Sequence, residues 1–75
     1  MATEAEVTRV KERYSMQLMS KPGIVGVGVE KDEDGEYVLA VHLGTPGARE
    51  TLPDEIEGVR LKPIHTGPYK AFGAE

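Results

Sequence analysis

The sequence predicts an α+β fold: one N-terminal helix packed on a three-stranded mixed sheet. Three observations predict it. An apolar stripe at helical spacing opens the chain, two alternating apolar runs flank an acidic turn, and a third short run follows a long connection. The 75 residues make a single domain, 1–75. Its thin core supplies only about 3–5 kcal/mol of net stability. Cysteine is absent, so no disulfide or thiolate metal site holds the chain together.

The helix is expected over residues 3–20. Thr3 with Glu6 fits a capping box, in which each side chain closes a free backbone N–H of the other. Val7, Val10, Tyr14 and Leu18 then recur at spacings of three and four, one stripe of a helix. Met19 flanks that stripe and Met16 falls opposite it. Ser20-Lys21-Pro22-Gly23 ends the element, because the residue before proline is pushed out of the α region.

Two strands are expected next, over 24–31 and 36–43, joined by Asp32-Glu33-Asp34-Gly35. An even loop would set Val25, Val27 and Val29 beside Val38, Ala40 and His42. An odd loop sets them beside Tyr37, Leu39, Val41 and Leu43. Burial favours the odd register, which gathers the large apolar side chains on the helix side. The turn chemistry agrees: Glu33-Asp34 forms a type I turn and Gly35 takes the left-handed position. Ile24, Gly26, Gly28, Val38, Ala40 and His42 are then expected together on the other face, flat and built of small residues.

In the connection that follows, Pro46-Gly47 suggests a turn, and Pro53 through Ile56 a single helical turn ended by Gly58. The last strand, 58–64, points Val59 and Leu61 inward and Arg60 and Lys62 outward. Pro63 cannot donate a ladder hydrogen bond, which suits an edge. The strand is expected beside the first and parallel to it, giving the order 2-1-3. In the tail, 67–75, Tyr69 and Phe72 are large apolar groups able to dock on the sheet.

The formal net charge is −4, which opposes a nucleic-acid or anionic-membrane role. The acidic start has no apolar core and does not read as a signal peptide, and no segment approaches a membrane span. A soluble, cytoplasmic protein is the expectation. Gly26-Val27-Gly28 precedes a hairpin instead of a helix, so it is not a nucleotide motif. A calcium loop starting at Glu30 places Gly35 at its sixth position but Val41 where a bidentate glutamate is needed. Ser15 and Ser20 lie near no plausible base, and no catalytic residues or cofactor are expected.

Two functional readings remain. The first is a non-enzymatic interaction or accessory module. It would meet an unknown protein partner, or a second copy, through Ile24, Gly26, Gly28, Val38, Ala40 and His42, or through the exposed edge of the second strand. The alternative is a small-ligand or metal-binding protein using His42, His65 and nearby carboxylates.

From Pro22 to Gly67 the chain carries "PGIVGVGV", an acidic hairpin, "YVLAVHL" and "LPDEIEGVRLKPIHTG". This stretch, about three-fifths of the chain, resembles a small α/β module of bacterial proteins. In longer proteins a similar segment precedes a trypsin-like protease domain. The shared pattern consists of Gly26, Gly28, Pro53, Gly58 and Gly67, which speak to fold and not to chemistry. The chain is expected to stop where such a protease domain would begin, so no triad transfers. The resemblance implies a stand-alone accessory module for docking or regulation.

Overall fold

The computed structural model describes residues 2–65. Helix α1 spans Glu4–Met19, and the capping box is in place. The Thr3 amide donates to Glu6 Oε1 at 2.9 Å, and the Glu6 amide donates to Thr3 Oγ1 at 3.2 Å. The apolar stripe faces the sheet with Val7, Val10 and Leu18 buried, Tyr14 packs against the core, and Met16 is 83% exposed. Beyond the helix, Gly23 adopts a φ of +86°, and a Cβ there would stand 2.8 Å from that of Ala48. The close approach lets the connection after the second strand pack against the helix exit.

Strands β1 (Ile24–Lys31) and β2 (Tyr37–Leu43) pair antiparallel in the expected odd register: Val27 opposes Val41, Val29 opposes Leu39 and Lys31 opposes Tyr37. The turn also follows the sequence. The Asp32 amide donates to the Glu36 carbonyl at 2.7 Å, the Gly35 amide donates to the Asp32 carbonyl at 3.0 Å, and Gly35 has a φ of +89°.

A β-bulge between Ile24 and Gly26 changes the start of β1. One extra residue reverses the alternation. Ile24, expected on the glycine face, instead opposes Leu43 and joins the helix-side core at 6% exposure, while Val25, expected inward, is 42% exposed.

The connection also departs from expectation. Pro46–Thr51 forms a 3-10 helix, with proline in its first turn. No helical turn forms at 53–56. Strand β3 (Glu55–Ile56) instead makes a small hairpin with β4 (Val59–His65) around Glu57 and Gly58, which have φ of +52° and +82°. Left-handed conformations at both central residues match the type I′ geometry favoured in two-residue hairpins.

The sheet has four strands in the order β1-β2-β4-β3, so the expected three strands and the order 2-1-3 are corrected. β4 runs parallel to β2, not beside β1. Burial explains the placement. Val38, Leu39, Ala40 and Val41 have no exposed surface, as suits a strand flanked on both edges and covered on both faces. The segment from Gly44 to Gly58 is long enough for a parallel crossover. It carries Ala48, Leu52 and Ile56 onto the helix-side core, where Val59 and Leu61 complete it. Pro63 costs little there. The Leu61 amide donates away from β2, to Asp54 O at 3.0 Å, so the missing N–H two residues later falls on the same outer side. Among the described residues no helix is long and apolar enough to cross a membrane. The expectation for Tyr69 and Phe72 lies outside the described residues.

Candidate interaction surface

Strand alternation sorts the expected docking residues into two groups. Gly26, Gly28, Val38, Ala40 and His42 do share the face away from α1, because Gly26 opposes His42 and Gly28 opposes Ala40. Ile24 is not with them. β4 adds Lys62, opposite Ala40, and Ile64, opposite His42.

The face is not uniform. Val38 and Ala40 have no exposed surface, so a partner has no access to the β2 part of it. Gly26 lies against His42: a Cβ on it would stand 3.5 Å from the imidazole. At Gly28, no described atom lies within 4 Å of such a Cβ. The accessible part of the face is therefore its β1 margin.

Its far end is charged. Asp32, at the root of the acidic turn, accepts from Arg60 and, at 3.2 Å, from Lys62 Nζ. Arg60 also lies 3.8 Å from Glu36. The Asp32 carboxyl is held below its ordinary value, first by the Glu33 amide, then by the Lys62 hydrogen bond and the charges of Lys62 and Arg60, with burial opposing them. The root of the hairpin turn is thus tied to β4. Among the described residues no group of three His, Asp or Glu side chains is placed to hold a metal ion. His42 and His65 fall on opposite faces, since His65 opposes Leu43, which faces the helix.

The strand order also moves the open edge. Sequence reasoning put it on the second strand, which is in fact central; β1 is the terminal strand. In an antiparallel ladder, residues alternate between pairs that exchange hydrogen bonds and pairs that do not. Asp32 bonds to Glu36, so Glu30, Gly28 and Gly26 point their backbone groups at β2. Val27, Val29 and Lys31 point theirs outward, to the edge. A signal for this was available in the sequence. Tyr37–Leu43 is nearly continuous in apolar residues, as a central strand requires, whereas β1 contains two glycines and ends in Glu30-Lys31.

A second cluster joins the helix to the β3–β4 turn. Glu57 Oε2 accepts from Arg13 Nη1 at 3.0 Å and from the Tyr14 hydroxyl at 2.8 Å. The Tyr14 hydrogen bond, followed by the Arg13 guanidinium, lowers the Glu57 carboxyl from its ordinary value; the same hydrogen bond raises the Tyr14 phenol. Sequence reasoning missed this cluster, because its members lie 43 and 44 positions apart. Nearby, Tyr14, Leu18, Lys21, Pro53 and Ile56 line an open, mainly apolar groove of about 430 Å³.

Comparison with protein-family models, curated proteins and solved structures returns no match for this chain.

Proposed function

We propose that the chain is a non-enzymatic protein-interaction module, soluble and cytoplasmic, that docks through the β1 side of its sheet. One observation carries the reading. β1 is a terminal strand of eight residues, and no described strand pairs with its outer side. Such an edge offers a row of backbone donors and acceptors to an incoming extended segment. At Gly28 no other described residue comes within 4 Å of where a Cβ would stand, which leaves room beside the edge for a side chain of that segment. An accessory role is also what the resemblance to segments preceding trypsin-like protease domains implies.

Lys31→Pro tests the reading. Lys31 is exposed, its N–H points outward, and proline is tolerated on an edge where that group faces solvent. The variant is expected to keep the circular dichroism spectrum of the parent. In pull-downs from native cell extract it is expected to lose proteins that the parent retains. Equal recovery of every protein by both would remove the β1 edge as the docking surface.

A further inference from the structure

We propose that the partner of the β1 edge is a second copy of this chain, paired antiparallel through β1 about a two-fold axis at Val29. This inference rests on the reading of β1 as the docking edge and names its occupant. The outward groups on that edge belong to Val27, Val29 and Lys31, and they constrain the register, because only outward residues can bond to outward residues across the seam.

Centring the axis on Val29 uses all three: Val29 meets Val29 of the second copy, and Val27 meets its Lys31. Glu30 then lies opposite Gly28 of the second copy, where no described atom crowds the space a side chain would enter. The two neighbouring registers are worse. Shifting one way sets Glu30 against Glu30, and like charges directly opposite one another repel. Shifting the other way sets Lys31 against Val25, the bulged residue, where the ladder is irregular.

Burial points the same way. A two-fold axis perpendicular to the sheet keeps both helix sides on one face, so Val29 meets Val29 on the helix side and Gly28 meets Glu30 on the other. Val27 and Val29 are only partly buried in the single chain; Lys31 and Val29 of the second copy would lie against them and cover more of their surface. Nothing in β1 beyond the bulge blunts the edge with proline, and its charges, Glu30 and Lys31, cancel.

The test is a charge series at position 28 read by sedimentation velocity from micromolar to millimolar concentration. Gly28→Glu faces Glu30 of the second copy twice in the dimer. It is expected to weaken self-association about two- to thirty-fold, from two like-charge cross-strand pairs. Gly28→Lys should strengthen it by a similar factor, and Gly28→Glu combined with Glu30→Lys should restore it. Hydrogen exchange supplies a second readout: the amides of Val27, Val29 and Lys31 should gain protection as concentration rises.

A parent that stays monomeric throughout overturns the proposal, as does a dimer indifferent to the sign of the charge at position 28. Protection of those amides that does not vary with concentration would assign the edge to another segment of the same chain, which also overturns it. Self-pairing can fail while Lys31→Pro still abolishes capture of a different protein, and the docking edge would then stand without this occupant.

Discussion

Glu57 occupies a left-handed backbone position without being glycine, at φ +52°, and its side chain is what justifies the choice. A β-carbon is disfavoured there, but Arg13 and Tyr14 hold the carboxylate and tie the β3–β4 turn to the helix. Two effects can be separated by substitution. Glu57→Ala loses the contacts and keeps the backbone strain, so it should lower the melting temperature most. Glu57→Gly loses the contacts but relieves the strain, and should fall between the alanine variant and the parent. An alanine variant as stable as the glycine variant would remove the strain argument. The pH dependence follows in sign. The folded-state value of Glu57 lies below its unfolded value, as does that of Asp32. Their contribution is therefore present above the ordinary carboxylate range and is lost as pH falls through the lowered folded values. Tyr14 is raised, so its part is present below the ordinary phenol value and lost as pH climbs through the raised one. Glu57→Gln should flatten the acid limb of the stability profile, measured by urea unfolding at a series of pH values.

At the scale of the element, the bulge in β1 decides which of two adjacent apolar residues is structural. Alternation alone points Val25 inward with Val27 and Val29, and Ile24 outward. The structure exchanges them, because the bulge inserts one residue and turns Ile24 toward Leu43. Ile24→Ala is thus expected to cost about 2–5 kcal/mol, the range for truncating a buried isoleucine. Val25→Ser should stay within about 0.5 kcal/mol of the parent, as surface changes do. Chemical denaturation of the two variants checks the exchange, and the opposite ranking would restore the unbulged strand. Helix α1 and the β1–β2 hairpin were legible in sequence because their signals are local: a capping pair three residues apart, an apolar stripe, and a glycine where the turn needs a positive φ. The bulge left no such local mark.

For the whole molecule, the thin core makes single losses large. Leu39 is completely buried on the central strand, and Leu→Ala at such a site costs about 2–5 kcal/mol. That is comparable with the roughly 3–5 kcal/mol available to a domain of this size. Leu39→Ala should therefore populate the unfolded state measurably at room temperature, seen as paired folded and unfolded resonances in the amide spectrum. A variant that melts like the parent would mean that the core is more redundant than its size implies. The same economy bears on the docking surface. The face built of Gly26, Gly28, Val38, Ala40 and His42 was legible from alternation, apart from Ile24, yet most of its apolar surface is already buried. What remains accessible is the edge, and the edge depends on strand order. By itself the sequence determined the helix, the hairpin register and the inward faces of the strands beyond the β1 bulge, since each follows from residues a few positions apart. Only the tertiary structure decided that β4 lies beside β2 and leaves β1 terminal among the described strands. That choice turns on which strand gains most from being covered on both sides, a comparison of burial across the whole sheet that no local spacing encodes.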